Sequence, residues 1–264
     1  MSVTIDDHQR LDALQQFPLE GSCKGRFAFG NVNADFAQSL LPSELVLAPQ
    51  SYSPAGQHPL LLMFNDTHLN SNPNVEKHIL GGVLPELKLH YYEFIVMLPY
   101  VQFSDSRYDS KGPYCYLPVL YLDSYAAVAG GRLFWEFNKE MADFTVDDSS
   151  YTVTARSTGK PMLSATTGIM SLMEADSTVQ GFEDISPMLV LPVIEHGPYG
   201  YVSSVYKIDF ENIDIAPAGL ELVNETSSYL PEGIFSSPSI LEQPLGAFYM
   251  NYNWALSYIE FIKF

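Results

Sequence analysis

The residue of this chain best suited to covalent chemistry is Lys139, which closes the run Leu133-Phe-Trp-Glu-Phe-Asn-Lys139. On an extended backbone Trp135, Phe137 and Lys139 project to one side, because side chains alternate along a strand. Lysine is normally solvated, so a lysine sharing a face with two aromatic rings is unusual. Desolvation destabilises the ammonium form and lowers its pKa. A neutral amine in an apolar pocket is what Schiff-base chemistry with a carbonyl substrate requires. The competing reading is a lysine that snorkels at a strand end, its stem lying over the rings. Just upstream, Ala126, Ala127, Ala129, Gly130 and Gly131 are small enough for something bulky to pack against them.

Other reactive patterns are thin. No GxSxG nucleophile elbow occurs, and Gly168-Ile-Met-Ser171 does not fit one. No phosphate-binding glycine loop is present beyond the bare pair Gly130-Gly131. His68, His78 and His90 fall in one region with Asp66 and Glu76, but not at the short spacings of paired metal ligands. They read as solvated or structural, and no metal is expected. Glu195-His196-Gly197 reads as a strand end with a capping or loop role.

The elements that must position Lys139 are mostly strands. Apolar spacing and Asp6-Asp7 near the start predict a short helix over 4–16, and Asn33–Leu41 predicts a second, stopped by Pro42. Leu45–Ala48 and Pro59–Phe64 are apolar strand candidates, and 65–88, rich in Asn, Gly and Pro, reads as loop with a short helical turn. His90–Val101 and Tyr114–Leu122 predict two strands joined by the polar tip 104–113. Tyr114–Leu122 is apolar on both alternating faces, so it should be covered on both sides. Further strands are expected at 151–156, 162–166, 188–195, 201–215 and 245–261. With no internal repeat and no Pro/Ser linker, the chain reads as one domain over 1–264. Its class is mainly β with some helix (α+β), and sequential hairpins imply a closed or highly curved sheet.

Composition narrows the partners. Thirteen Lys+Arg stand against 31 Asp+Glu, a formal charge of −18. So acidic a surface excludes nucleic acid as a natural partner and disfavours anionic membranes. Residues 1–17 have no basic region followed by an apolar core, and no apolar run approaches the roughly 20 residues that span a bilayer. Cys23 and Cys115 form no CxxC pair and read as reduced thiols of a cytoplasmic protein.

The block Gly130-Gly131-Arg132-Leu-Phe-Trp-Glu-Phe-Asn138-Lys139-Glu140-Met-Ala142, with its lead-in Leu122-Asp123-Ser-Tyr-Ala-Ala-Val-Ala, resembles the signature of the acetoacetate decarboxylase family. Tyr91-Tyr92-Glu93 before an apolar strand, the Asn33–Pro42 stretch and the aromatic strand after Gly246-Ala-Phe are similar to other parts of that family. Activation of a lysine by desolvation or by a neighbouring cation is already an established property of acetoacetate decarboxylase. The resemblance implies a cone-like barrel of antiparallel strands with short helices outside. It implies Lys139 as the Schiff-base lysine, Glu93 as a pocket acid, and Arg132 as the signature arginine; Arg26 is the candidate for an arginine near the first strand. Lys139 and Glu93 are thus the catalytic candidates, and Arg132, Arg26, Trp135 and Phe137 the substrate-binding ones.

Three positions depart from the signature: Glu140 replaces a second lysine, Asn138 a proline, and Leu133 a glutamate. The family's other pocket glutamate, expected near Leu60–Phe64, has no counterpart there. The function implied is a Schiff-base lyase acting on a keto acid by decarboxylation or related aldol and dehydration chemistry, without cofactor, in a homo-oligomer. The alternative is a small-molecule-binding barrel that has lost the chemistry. A charge of −18 repels an anionic keto acid at long range, so at least one arginine is expected to face the cavity of Lys139.

Overall fold

The computed structural model describes residues 17–71, 88–105, 107–108, 112–169, 181–197, 199–242 and 245–262. The helix expected over 4–16 lies outside these residues. The described elements, in chain order, are β1 (Leu19–Asn33), α1 (Ala34–Ser39), β2 (Leu45–Leu47), β3 (Gln57–Ser71), β4 (Lys88–Phe103), β5 (Tyr114–Leu122), α2 (Tyr125–Phe134), β6 (Lys139–Val146), β7 (Ser150–Ala155), β8 (Lys160–Ile169), α3 (Phe182–Leu189), β9 (Val193–Gly197), β10 (Gly200–Ser204), β11 (Tyr206–Ile208), β12 (Asp214–Asn224), β13 (Gly233–Ser237), β14 (Ala247–Leu256) and β15 (Glu260–Phe261).

Nine strands close a ring in the order β5-β6-β7-β8-β12-β14-β1-β3-β4 and back to β5. The architecture is the mainly β closed barrel with short helices. Ring neighbours run antiparallel except β5 and β6, which pair in parallel. Helix α2 carries the chain back between them, as a parallel crossover requires. β5 shares one edge between two strands: Cys115 and Tyr116 pair with β9, and Leu120 to Leu122 pair with β6, both in parallel.

Two apolar cores lie on opposite faces of the sheet. Phe64, Phe94, Val153, Leu163 and Leu222 pack inside the ring. Phe27, Met63, Ile95, Leu120 and Phe248 pack on the other face of β14, β1, β3, β4 and β5, together with Val128 of α2 and Met188 of α3. Alternate residues of β3 feed the two, with Leu60 and Leu62 entering the ring and Leu61 and Met63 pointing away from it. A strand buried on both faces needs apolar residues at every position. That explains the unbroken burial of Glu93 to Pro99 in β4 and of most of β5.

Several expected boundaries move. β3 runs to Ser71 through a stretch that reads as loop, because Asn65 and Thr67 share the face of Leu61 and Met63, away from the ring, and find a buried partner there in Glu93. The stretch 188–195 divides into the end of α3 and the start of β9; Ile185, Met188 and Leu189 form the buried helical stripe. An apolar run of that length does not itself distinguish helix from strand. The stretch 201–215 is three separate pieces, β10, β11 and the start of β12. β1 carries no strand signal because glycines interrupt it, yet Gly30 is where the ring of Phe235 packs: a methyl group there would lie 2.3 Å from that ring. The glycine marks close approach, not a turn.

Candidate active site

A cavity of about 410 Å³ lies in the second core, outside the closed ring. Lys139 opens β6 and is 8% exposed. Ser124 caps α2 by accepting from the Ala127 amide, and α2 ends at Trp135. Residues 125–134 are thus helical, and Glu136 takes a positive φ of 58° before the chain enters β6. The extended backbone from Trp135 to Lys139 is replaced by a tight turn, which still brings all three side chains to one cavity. Trp135 is anchored by its indole N–H, which donates to the Ser257 carbonyl at 2.9 Å. The Lys139 Nζ lies 5.6 Å from the centre of the Phe137 ring and donates to the Ala127 carbonyl at 3.4 Å.

The start of β6 is held from three sides. Arg132 Nε donates to the Lys139 carbonyl at 2.6 Å. Asn138 Nδ2 donates to the Pro118 carbonyl at 2.6 Å, a bond that proline could not supply. The Leu120 amide donates to the Asn138 carbonyl at 2.9 Å. The lysine is seated through backbone contacts, leaving its amine directed along the helix face.

Two carboxyl groups act on that amine. Glu93 on β4 is buried, and its Oε1 accepts from Asn65 Nδ2 at 3.1 Å and Thr67 Oγ1 at 2.9 Å. Glu195 on β9 is 3% exposed, and its Oε1 has no hydrogen-bond partner among the described residues. β9 and β6 lie end to end along the same edge of β5, so the C-terminal part of β9 approaches the first residue of β6. Burial lowers the Lys139 pKa, partly opposed by the negative charges of Glu93 and Glu195. Burial raises Glu93, opposed by Lys139 and by the two hydrogen bonds. Burial also raises Glu195 well above the usual carboxylate range, with Lys139 as the opposing influence. Burial thus opposes the charge on all three groups, moving the amine toward the neutral form that attacks a carbonyl and the acids toward the protonated form that can donate to its oxygen.

The sequence candidates separate into two groups. Lys139, Glu93, Trp135 and Phe137 line the cavity, whereas Arg26 and Arg132 do not. Arg26 alternates with Phe27 and points to the ring side, where its guanidinium lies over Tyr151, 5.0 Å from the ring centre, and also bonds the Tyr151 hydroxyl. The arginine expected at the cavity wall is absent among the described residues. Glu140, in place of the second lysine, stands opposite Tyr121 and adds negative charge near that phenol, on the face away from Lys139. Glu195 is the functional candidate to which the sequence reading gave only a capping or loop role at a strand end. Its signal was faint: an acid two positions after Val193 in an apolar strand, so on the same inward face.

Outside the cavity, Asp66, His68 and His90 come together on β3 and β4, their ligand atoms within 4.8 Å of one another. His68 and His90 are direct cross-strand partners with stacked rings, and His90 Nε2 lies 2.7 Å from Asp66 Oδ1. Two imidazoles and a carboxylate form a donor set suited to a transition metal. The group faces solvent on the ring side of the sheet. His78 and Glu76 lie outside the described residues.

No helix among the described residues is long and apolar enough to cross a membrane. The profile of the acetoacetate decarboxylase (ADC) family matches residues 16–254. A comparison with curated proteins found no match. Among solved structures, the enduracididine biosynthesis enzyme MppR, complexed with the condensation product of pyruvate and imidazole 4-carboxaldehyde, is similar with a TM-score of 0.60 and 13% identity. That match covers 98% of this chain and 94% of MppR. Acetoacetate decarboxylase from Legionella pneumophila aligns with a TM-score of 0.55 and 15% identity over 94% of this chain and 88% of its own. An acetoacetate decarboxylase-like enzyme from Sphingomonas wittichii RW1 aligns with a TM-score of 0.56 and 10% identity, covering 95% and 94% of the two chains. These likenesses show a shared fold.

Proposed function

The chain belongs to the acetoacetate decarboxylase family, and from that footing we propose a lyase that forms a Schiff base between Lys139 and a keto acid. The observation that carries the reading is a buried lysine, its ammonium destabilised by desolvation, in a largely apolar cavity that Glu93 also lines, with the buried Glu195 close enough to act on its charge. The pyruvate-derived ligand named for MppR supports a keto acid as the substrate class.

In this reading the neutral Lys139 amine attacks the keto carbon, and the carbonyl oxygen takes one proton from the attacking amine and a second from Glu93 and leaves as water. The product is an iminium. The bond between the α-carbon and the carboxylate then breaks, CO₂ departs, and the electron pair flows to the iminium nitrogen to give an enamine. A carboxylic acid of the site protonates the enamine carbon, and water hydrolyses the second iminium to release ketone and free lysine. The iminium is the electron sink, so the cycle calls for no metal or organic cofactor. Loss of an α proton in place of CO₂ gives an enamine that keeps its carboxylate and opens aldol and dehydration chemistry. The same reading has a homo-oligomer working in the cytoplasm, a state supported by family habit.

The test is reductive trapping. The protein is incubated with acetoacetate, pyruvate or acetopyruvate, treated with borohydride, and analysed by intact mass and peptide mapping. An adduct on Lys139, absent from Lys139→Arg, is the expected result. No adduct with any keto acid sinks the lyase reading and leaves the small-molecule-binding barrel; turnover by Lys139→Arg sinks the Schiff-base role of Lys139.

A further inference from the structure

The cavity around Lys139 is nearly all hydrocarbon. Its charged-type groups are Glu93 and Lys139, and the rest of its wall is overwhelmingly aliphatic and aromatic. No arginine lines it, so a bound carboxylate finds no fixed guanidinium among the described residues. Affinity must then come chiefly from burial of apolar surface. The reacting pair also sits partway along the cavity, not at its end. Leu89 and Leu69, paired across β4 and β3, line it on one side of Glu93, and Met97 and Leu117 line it on the other. Along β4, Glu93 stands four residues from Leu89, about 13 Å at the rise of a strand.

Size agrees with this. A cavity of about 410 Å³ holds on the order of 13 non-hydrogen atoms at the roughly 30 Å³ that a water molecule occupies in the liquid. Acetoacetate has seven, three of them oxygen. It would leave much of the aliphatic wall uncovered.

Resting on the Schiff-base reading, we propose that the substrate is a medium-chain 3-oxo acid. Its keto group meets Lys139 and its alkyl tail of several carbons lies along the apolar wall. A ten-carbon 3-oxo acid has thirteen non-hydrogen atoms and fills the space. The position of the keto group is set by the chemistry: only a carboxylate β to the iminium carbon can leave its electron pair in the sink.

The experiment uses the full chain and 3-oxo acids of four, six, eight, ten and twelve carbons, following CO₂ release and the borohydride-trapped mass. In parallel, unreactive saturated acids of the same lengths are titrated by tryptophan fluorescence. Both tryptophans of the chain, Trp135 and Trp254, line the cavity, so the signal reports its occupancy. The expected result is a rise in kcat/KM and in affinity on the order of 15-fold for each two carbons, at about 0.8 kcal/mol per buried methylene, peaking near ten carbons. Acetoacetate handled as well as the longer acids, with affinity indifferent to length, overturns the proposal. Affinity that climbs with length while no acid gives an adduct overturns the Schiff-base reading and upholds the apolar-tail site. Flat affinity with no adduct overturns both.

Discussion

Gly131 leaves the space that the side chain of Lys139 occupies. A methyl group on Gly131 would lie 2.5 Å from Cδ and Cε of Lys139 and 2.7 Å from its Nζ. The helix face formed by Gly131 is therefore one wall of the lysine's channel. Gly131 also accepts at its carbonyl from the Trp135 and Phe137 amides, which turn the chain toward β6.

Gly131→Ala should consequently displace the amine without unfolding the protein. Alanine favours a helix interior over glycine by about 1 kcal/mol, which offsets part of the crowding. The expected outcome is trapping at Lys139 slowed about tenfold or more, with Tm within a few degrees of the parent. Unchanged trapping would show that the amine does not depend on this wall.

Glu195→Gln tests the second acid through pH. Glu195 helps to hold the ammonium form of Lys139, so its removal lowers the lysine pKa further. The acidic limb of the trapping rate, which follows the neutral amine, should move to lower pH. Stability gives an independent readout. The folded-state pKa of Glu195 is raised, so its contribution is fully present below the unfolded value of about 4.3 and lost as pH climbs through the folded value. Urea midpoints should therefore fall less between pH 4 and pH 8 in the variant than in the parent.

Lys139→Met should abolish the adduct and stabilise the fold under acidic conditions. Burial raises both acids, so acidification strips their charge early and leaves the parent with a buried ammonium that lacks a charged partner. Replacing it with an apolar side chain of similar length is expected to gain on the order of 1 kcal/mol. Denaturant unfolding at pH 5 measures it, and a less stable variant would contradict the desolvation argument.

The two arginines should part company with substrate binding. Arg26→Ala is expected to leave KM for a keto acid unchanged, since Arg26 rests on Tyr151 on the opposite face of the sheet. Arg132→Ala removes the donor to the Lys139 carbonyl and should cost about 1 kcal/mol or more of stability. Its effect on activity should fall on kcat more than KM, because it positions the lysine instead of touching the substrate. A large rise in KM for either variant would place a guanidinium at the substrate after all.

Parts of the site were legible in the primary structure because they are local. The small residues before Lys139 and its flanking aromatics lie close together in the chain, and Tyr91-Tyr92-Glu93 is itself a short local pattern, although a turn and not strand alternation brings Trp135, Phe137 and Lys139 to one cavity. The ring was foreshadowed by β4 and β5, whose unbroken apolar runs require cover on both faces. β3 beyond Phe64 was hidden because Asn65 and Thr67 look like loop residues until Glu93 is placed opposite them. His68 and His90 likewise gave no metal-ligand spacing, since cross-strand register alone makes them neighbours.

The sequence by itself determined that Lys139 follows a small-residue segment and sits among aromatics, and that the chain is strand-rich and strongly acidic. These follow from residue type and short-range periodicity. Only the tertiary structure decided that Glu195 joins Lys139, that both arginines lie outside the cavity, and that the cavity lies outside the ring. The first depends on β5 sharing one edge between β9 and β6. The pairing of Cys115 with Val193, distant in the chain, sets that arrangement, and no local pattern of side chains encodes it.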